Sequence, residues 1–438
     1  MGGARGRANW GLSDRGGGGL GGGCGGSASL ADVLAPERRT RADILTAVAI
    51  AALLAIAAGV VWWNSAARGT ESVIATETLT APPTSVQLPA GMDELWRTAD
   101  SAAERSLAVG GVAITGEGGT VTGRNPVTGE QVWKYERDVP LCAVEVQFGT
   151  VIATYRDDRG CSQTTLLTAE NGARLTARSS YMDDTVTLTP DGTYVLALGA
   201  NRLEMWRSDL VRTLEYGYVD APVNPRTQPR TGCTLVSAAS APSRLAVLER
   251  CPKDEADRLT VLNPAPKDGT VPEEYSSHVL TEPGGAVGGA RVLAVSDSRI
   301  ALYLPGTPST APQIAVYDIS SNPVATHQLS APLADDAAIA HLSSAYFLFT
   351  GDTLIALNAS AFDPLWGVPN VLGTPALLAA QILVPVPGGL AALDPATGAQ
   401  RSRITVQRTD YHDEPISLAT VGPTILERRG TTLHALGS

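Results

Sequence analysis

The sequence lacks the side-chain clusters and local motifs on which many enzymes depend. Its five histidines are dispersed, so that neither H-x-H nor H-E-x-x-H occurs, and none of its five cysteines forms a C-x-x-C pair. A metal site needs ligands that converge, and the common serine hydrolases need a G-x-S-x-G elbow, which is also absent. No catalytic, cofactor-binding or metal-binding residue is therefore predicted, and the chain is not expected to be an enzyme.

Lysine is scarce, since three of the 33 basic residues are lysines, and the 438-residue chain has a net charge of −11. The first 43 residues carry a charge of +2, so the remainder carries −13. Nucleic-acid binding requires lysine and arginine to neutralise phosphates. The acidic portion therefore argues against a nucleic-acid partner.

Long apolar runs are missing with one exception, residues 44–63, which contain twenty residues and no charge. At ~1.5 Å per residue this run matches a hydrocarbon core of ~30 Å. Arg38, Arg39 and Arg41 precede it and Arg68 follows, so the positive-inside rule places the N terminus in the cytoplasm. A cleaved signal peptide is the alternative, but both the run and the tail before it are long for one.

Composition divides the chain into four parts. Residues 1–43 are a Gly-rich tail, expected to be cytoplasmic and disordered, and residues 44–63 are the transmembrane helix. Residues 64–92 are rich in Thr, Ser, Ala and Pro, which predicts an extended extracytoplasmic stalk. Residues 93–438 form the exported domain. We therefore expect a single-pass protein of the plasma membrane.

Four of the five cysteines fall in two evenly spaced pairs, Cys142 with Cys161 and Cys233 with Cys251. In each pair the first cysteine opens an inner strand and the second ends the next strand, so the two are neighbours in an antiparallel hairpin. Two structural disulfides are predicted, in agreement with export to an oxidising compartment. Metal binding is the alternative, but the spacing of zinc-binding cysteines is usually closer.

A short apolar strand, followed in its clearest copies by a tight turn closed by glycine, recurs about eight times after residue 120. The clearest copies are residues 121–129 and 390–398. The residue after each strand serves as a marker, and the markers are positions 125, 169, 207, 263, 318, 358, 394 and 437. Their mean step of about 45 residues is the length of one four-stranded propeller blade. The predicted fold is an all-β propeller with eight blades, and seven is the alternative because the third and fourth units are irregular.

A strand that contains tryptophan follows the marker turn in the clearest units, as at Trp133 and Trp366. Trp96 lies in a similar strand at the start of the domain, whereas the last repeat, Leu433–Leu436, lacks one. We therefore predict that the Trp96 strand completes the last blade and closes the ring, which removes an open edge. The tryptophans are predicted to pack between blades, with ligand stacking as the alternative.

The pattern Leu-x-Ala-Leu-Asp-x-x-Thr-Gly-x-x-x-Trp, matched best by residues 390–398 and 121–133, resembles the repeat of pyrroloquinoline-quinone-like (PQQ-like) β-propellers. That family includes quinoprotein alcohol dehydrogenases and a non-catalytic lipoprotein scaffold. Its enzymes typically have adjacent cysteines in a vicinal disulfide, calcium ligands, an Asp base and a stacking Trp. Because this chain has no adjacent cysteines, the resemblance implies the non-catalytic branch without a cofactor.

Two Pro-rich loops, residues 221–230 and 264–275, are the best candidates for contact with a partner. Such loops stay extended at low entropic cost, which favours recognition. Variable connection between blades is the alternative interpretation. The candidate residues are Pro222, Asn224, Arg226, Arg230, Lys267 and Glu273.

The leading hypothesis is a membrane-anchored extracytoplasmic β-propeller that serves as a binding or scaffold module for an envelope protein or cell-wall polymer. One alternative is a quinoprotein-type oxidoreductase that binds PQQ and calcium. The other is a ligand-sensing receptor that signals to the cytoplasmic tail. A single apolar span with a Gly-rich tether transmits rigid motion poorly, so the receptor ranks last.

Overall fold

The computed structural model describes residues 40–63, 65, 68–79, 82–84, 87–220 and 222–438. The chain divides into two compact units, Met1–Asn64 and Ser65–Ser438, and we describe each by itself. Residues 1–39 of the predicted cytoplasmic tail lie outside the described residues.

In the first unit, Arg41–Trp63 form helix α1, which includes the whole predicted transmembrane run. Thr40 and Asp43 cap its N terminus reciprocally. The Asp43 N–H donates to Thr40 Oγ1 (3.2 Å), and the Thr40 N–H donates to Asp43 Oδ2 (2.8 Å), as in a capping box. Within the described residues, α1 is the one helix that is long and apolar enough to cross a membrane.

The second unit is built from short strands. In chain order these are β1 Thr70–Val73, β2 Gly91–Ala99, β3 Leu107–Val109, β4 Val112–Glu117, β5 Thr120–Arg124, β6 Gln131–Arg137, β7 Leu141–Gln147, β8 Thr150–Asp157, β9 Gly160–Thr168, β10 Arg174–Ser179, β11 Thr187–Pro190, β12 Val195–Leu198, β13 Arg202–Trp206, β14 Arg212–Gly217, β15 Thr234–Ala241, β16 Arg244–Arg250, β17 Arg258–Leu262, β18 Glu274–Val279, β19 Arg291–Val295, β20 Arg299–Leu304, β21 Gln313–Asp318, β22 Pro323–Gln328, β23 Ala338–Leu342, β24 Ala345–Phe349, β25 Thr353–Asn358, β26 Pro364–Pro369, β27 Gly373–Thr374, β28 Ala376–Leu378, β29 Gln381–Val386, β30 Gly389–Leu393, β31 Gln400–Val406, β32 Ile416–Val421, β33 Thr424–Arg429 and β34 Thr432–Gly437.

In the described residues these strands form six separate sheets and one nine-stranded sheet. Sheet I has the order β1-β6-β5-β4-β3, and sheets II to VI contain β7–β10, β11–β14, β15–β18, β19–β22 and β23–β26. The nine-stranded sheet contains two antiparallel runs, β28–β31 and β32–β34 with β2, which we call sheets VII and VIII. Every marker residue of the sequence repeat lies at, or directly after, the end of a sheet's third strand.

Each sheet is a meander, so its turns alternate between two ends. The turns between second and third strands lie at the same end as the connections to the next sheet, and we call this the front end. The other turns lie at the back end. The first strands meet one another: β3 contacts both β7 and β32, β7 contacts β11, and β15 contacts β19. Sheets arranged in this way around a common centre are a β-propeller, as the sequence predicts.

The core lies between neighbouring sheets. Leu259 of sheet IV and Leu302 of sheet V, both fully buried, belong to one apolar cluster. Tyr303 of sheet V and Leu348 of sheet VI belong to another. The apolar side chains of the inner strands therefore pack against those of the neighbouring sheets.

The two ends of the second unit meet in sheet VIII. Strand β2 lies antiparallel to β34, with Trp96 opposite Ala435. This is the pairing that the sequence predicts between the Trp96 strand and residues 433–436. The first two residues of β2 also pair, in parallel, with Thr405 and Val406 of sheet VII. Backbone hydrogen bonds thus join the two chain ends.

Three tryptophans connect one sheet to the next. Each lies in the fourth strand of its sheet and donates its indole N–H to a carbonyl in the turn after the third strand of the following sheet. The pairs are Trp96 with Pro126 (2.9 Å), Trp133 with Ala169 (2.7 Å) and Trp366 with Pro395 (3.0 Å). These contacts confirm the prediction that the tryptophans pack between blades.

Fourth-strand side chains make the equivalent hydrogen bond at three further junctions: Arg178 with the Leu210 carbonyl (2.8 Å), Thr213 with the Pro264 carbonyl (2.8 Å) and Ser276 with the Ile319 carbonyl (2.9 Å). At the junction of sheets V and VI, His327 Nε2 lies 3.4 Å from the Asp363 carboxylate. Together with the tryptophans and the β2–β31 pair, they join every sheet to its successor and sheet VIII to sheet I.

The segment predicted as a stalk, residues 64–92, differs from that expectation. Strand β1 extends the outer edge of sheet I, and Glu71 lies 3.0 Å from Lys134 Nζ. The Ala75 N–H donates to the Asn171 carbonyl (3.0 Å), and Leu79 packs on the core of sheets I and II. An outer strand offers unpaired backbone groups, and an apolar side chain gains by burial, so residues 70–79 lie against sheets I and II.

Candidate functional site

Both predicted disulfides are present, with Cα–Cα distances of 6.0 Å for Cys142–Cys161 and 4.2 Å for Cys233–Cys251. The interpretation that both join the same two repeat positions is wrong. Cys142 and Cys161 lie in the first and third strands of sheet II, because a tight turn at Gly160 ends the second strand earlier than expected. The other pair flanks the first two strands of sheet IV. Both bridges lie at the front end.

The two loops that the sequence singles out lie against each other. Loop 218–233 joins β14 to β15, and loop 263–273 joins β17 to β18. Asn224 Nδ2 donates to Thr270 Oγ1 (2.7 Å), and Thr227 Oγ1 donates to the Thr270 carbonyl (2.8 Å). Two side chains of the first loop therefore fix the second loop at the junction of sheets III and IV.

Loop 263–273 also covers the outer edge of sheet III. The Glu215 N–H, in edge strand β14, donates to the Gly269 carbonyl (2.8 Å). The loop keeps its shape through Glu273, whose carboxylate accepts the Lys267 N–H (3.1 Å) and the Asn263 amide (2.9 Å). This capping removes an unpaired edge that could otherwise add a further strand.

A cavity of about 540 Å³ opens at the front end beneath loop 218–233. Its walls come from that loop, from the connection between sheets II and III, from the turn between the second and third strands of sheet III, and from the first two strands of sheet IV with the residues that flank them. The lining residues that matter below are Tyr181, Asn201, Tyr218, Arg226, Arg230 and Glu249.

The most buried lining residue is Glu249, which is 1% exposed and forms the floor. Its carboxylate accepts hydrogen bonds from Tyr216 OH (2.7 Å) and Thr260 Oγ1 (2.5 Å), and Arg230 Nε lies 3.4 Å away. Arg230 also pairs with Glu274. The buried acid is thus held by donors on three sides.

The pKa values of this network reflect the pairing. Burial raises the pKa of Tyr216, and the adjacent Glu249 carboxylate raises it further, so the phenol stays a donor. Burial lowers the pKa of Arg230, but Glu274, Tyr216 and Glu249 outweigh burial and raise it overall. The Arg230 charge is therefore permanent and already balanced by two carboxylates.

Two tyrosines stand at the rim. The rings of Tyr181 and Tyr218 meet edge to face, with centroids 5.4 Å apart and an angle of 62° between their planes. Tyr218 is 49% exposed, and its hydroxyl donates to Asp220 (3.2 Å). Arg226 lies in a turn with φ of 64° and makes no hydrogen bond or ion pair with any described residue. Among the residues that the structure describes, the rim thus offers the aromatic face of Tyr218 and the unpaired guanidinium of Arg226.

Four of the six residues predicted for partner contact line this cavity: Pro222, Asn224, Arg226 and Arg230. Lys267 and Glu273 lie on the second loop, outside the lining. The sequence interpretation missed Tyr181, Tyr218 and Glu249. Tyr218 begins loop 218–233, beside the Pro-rich stretch, and its aromatic side chain is a usable signal there. Tyr181 lies in the connection between β10 and β11 and Glu249 lies in strand β16, and neither position carries a distinctive signal.

Cys233, Glu249 and Cys251 form a group in the described residues whose ligand atoms lie close enough to hold a metal ion. Both sulfurs belong to one disulfide, and metals bind thiolates. In the oxidised protein the group therefore contributes a wall of the cavity and one buried carboxylate. The chemistry that it offers is hydrogen bonding.

Neither a known protein family nor a curated protein matches the sequence. Matching solved structures include the N-terminal domain of Nup159, with 11% sequence identity, a TM-score of 0.42 and coverage of 82% of this chain and 99% of that one. Another is dihydro-heme d1 dehydrogenase NirN in complex with DHE, with 11% identity, a TM-score of 0.46 and coverage of 77% and 78%. Likenesses this distant carry no functional information.

Proposed function

We propose that this protein is an eight-bladed propeller, anchored in the plasma membrane by α1, that binds an envelope protein or polymer outside the cell. Sheets I to VIII are its blades. The contact from each sheet to its successor supports this count, and the repeat supports the non-catalytic branch of PQQ-like propellers. The disulfides support an oxidising compartment, and Arg38, Arg39 and Arg41 before α1 support a cytoplasmic N terminus.

The observation that carries the proposal is the cavity beneath loop 218–233, which loop 263–273 holds in place from outside the lining. Binding residues concentrate on loops that a rigid scaffold positions. Here two hydrogen bonds from Asn224 and Thr227 hold loop 218–233 to its neighbour, and the cavity of about 540 Å³ lies within the ~300–1,000 Å³ usual for binding pockets. A preordered cavity of this kind binds without a large ordering cost.

Photo-crosslinking in living cells tests the binding role. A photoreactive amino acid replaces Val223, which is 78% exposed beside the cavity, or Val127, which is 49% exposed in a turn at the back end. We expect a defined macromolecular adduct from position 223 and none from position 127. Equal adducts from both positions, or none from position 223, would contradict a binding role for this site.

Membrane topology is tested with a membrane-impermeant maleimide. In intact cells a cysteine introduced as V223C should react, whereas the native Cys24 of the tail should react only after lysis. The four cysteines in disulfides do not compete. Labelling of Cys24 in intact cells would reverse the proposed orientation.

A further inference from the structure

We propose that the front-end cavity takes a sugar unit of a glycan, with one face of the sugar ring against Tyr218 and its hydroxyl groups bound by Glu249 and Arg226. The inference rests on the proposed function and names the ligand class of the same cavity. Three features carry it: a buried acceptor on the floor, an exposed aromatic face at the rim, and polar side chains with spare bonding capacity between them.

The floor excludes a purely apolar ligand. Glu249 is 1% exposed, and its second carboxylate oxygen has one partner, the Arg230 Nε at 3.4 Å, in the described part of the chain. A hydrocarbon in the cavity would leave this oxygen with no hydrogen bond beyond the long one from Arg230, which is unfavourable for a buried carboxylate. The ligand must therefore supply a donor at its inner end.

The charge balance excludes a strongly anionic ligand such as a phosphate. Arg230 is already neutralised by Glu249 and Glu274. Among the described lining residues the other cation is Arg226, at the exposed rim. Its guanidinium can donate hydrogen bonds to the hydroxyl, ring or carboxylate oxygens of a sugar, whereas the buried floor offers no unbalanced cation for a phosphate.

The rim favours a ring with an apolar face. Tyr218 is 49% exposed, and its hydroxyl is engaged by Asp220, so the ring itself is the surface that remains. The edge-to-face contact with Tyr181 fixes its orientation. The C–H face of a pyranose can pack on such a ring. The hydroxyl groups at the edge of the pyranose would then reach Asn201 and Arg226, and Glu249 on the floor.

An extended peptide fits this place less well. An extended peptide can bind a sheet by adding a strand to an exposed edge. The nearest edge, β14, is already covered, because the Glu215 N–H donates to the Gly269 carbonyl (2.8 Å). A peptide would have to displace loop 263–273, which Asn224 and Thr227 hold in place.

The test uses the full chain in detergent micelles and defined probes: tetrasaccharides of N-acetylglucosamine, mannose and galacturonic acid, and neutral and acidic octapeptides. Calorimetry gives the affinity, and saturation-transfer NMR shows which ligand protons touch the protein. We expect at least one tetrasaccharide to bind through ring C–H protons. Tyr218→Ala and Arg226→Ala should each weaken it roughly tenfold, and Tyr218→Phe should retain most of the affinity.

Matched controls lie outside the cavity. Phe148 is 53% exposed in the turn between β7 and β8, at the back end, and Arg174 is an exposed residue of β10. Phe148→Ala and Arg174→Ala should leave saccharide affinity unchanged. Saccharide binding that is indifferent to Tyr218→Ala and Arg226→Ala would place the glycan elsewhere and overturn the inference.

Two outcomes separate this inference from the proposed function. Peptide binding that depends on Arg226, with no tetrasaccharide bound, would overturn the glycan while the binding role stands. The same holds if position 223 crosslinks to a protein in cells and no saccharide binds. Absence of both an adduct at position 223 and any bound probe would overturn the proposed function as well.

Discussion

The contact between Trp133 and Gly172 predicts how much one blade junction contributes to stability. Trp133 is fully buried, and its indole N–H donates to the Ala169 carbonyl (2.7 Å). Gly172 lies in the same turn with φ of +73°, and a Cβ built there would lie 2.6 Å from Trp133 Cδ2. Gly172→Ala should therefore destabilise the protein in two independent ways, through a strained backbone at residue 172 and through an overlap with the indole of Trp133.

Gly149 separates the two penalties. It has nearly the same φ, +71°, but a Cβ there meets nothing within 4 Å. Gly149→Ala should therefore lower the free energy of unfolding by about 1–2 kcal/mol, the cost of a left-handed conformation for an L-residue. Gly172→Ala should cost about 1–3 kcal/mol more, because the indole or the turn must move.

Trp133→Ala should cost about 4 kcal/mol through the cavity it leaves, and about 1 kcal/mol more for the unpaired carbonyl. It also removes the overlap. In the Trp133→Ala background, Gly172→Ala should therefore cost no more than Gly149→Ala does, which gives a coupling of about 1–3 kcal/mol between the two sites.

Urea unfolding of the four proteins in this cycle and of Gly149→Ala, followed by far-UV circular dichroism, measures these differences. The technique does not depend on the fluorescence of Trp133. If Gly172→Ala and Gly149→Ala are equally destabilising in the native background, or if the cost at Gly172 persists without Trp133, the indole is not what restricts that turn.

Three further predictions concern charge and covalent bonds. Burial raises the pKa of Glu204, but Arg178 and Arg202 (3.0 and 2.7 Å) outweigh burial and lower the pKa to about 2. The stability that this ionised acid contributes is complete above pH 4.5, and the free energy of unfolding should fall by about 3 kcal/mol as the pH drops toward 2. Urea titrations across that pH range should show that Glu204→Gln abolishes this loss. Burial raises the pKa of Asp100 to about 6, so its ionisation should lower the free energy of unfolding by about 3 kcal/mol as the pH rises from 3.8 through 6. A difference in the free energy of unfolding between the native protein and Asp100→Asn that stays constant from pH 4 to 7 would contradict this. Replacing Cys142 and Cys161 together by serine opens a loop of 19 residues and should lower the free energy of unfolding by about 3 kcal/mol, and a reductant should then shift the urea midpoint less than it shifts that of the native protein.

The architecture can be predicted from the sequence because its sequence pattern repeats. A marker at the end of every third strand is enough to place the strands around it, and the unmatched strand at Trp96 indicates where the ends meet. The cysteine pairs were found for the same reason. The strands that hold them were not predicted correctly, since β8 ends at Asp157, four residues before Cys161, and the turn that follows places Cys161 in β9.

The repeat does not predict the pairing of the segment before the domain or the floor of the cavity. Residues 70–73 have the composition of a linker, and their pairing depends on an outer edge that only the folded sheet I presents. In the sequence, Glu249 is an ordinary charged residue within a predicted strand. Its role arises from Tyr216 and Arg230, which are 33 and 19 residues away in sequence, and a single sequence does not encode such encounters as a pattern.

The candidate site lies where the repeat is weakest, and the junction itself explains why. Between sheets III and IV, Thr213 replaces the tryptophan, and a hydroxyl buries far less apolar area than an indole. Loop 263–273 compensates by covering β14 and by holding Asn224 and Thr227 of loop 218–233. The contacts that secure this junction are thus the ones that shape the cavity. Because a ligand that binds only the folded state stabilises it by mass action, occupancy of the cavity should strengthen the junction between sheets III and IV.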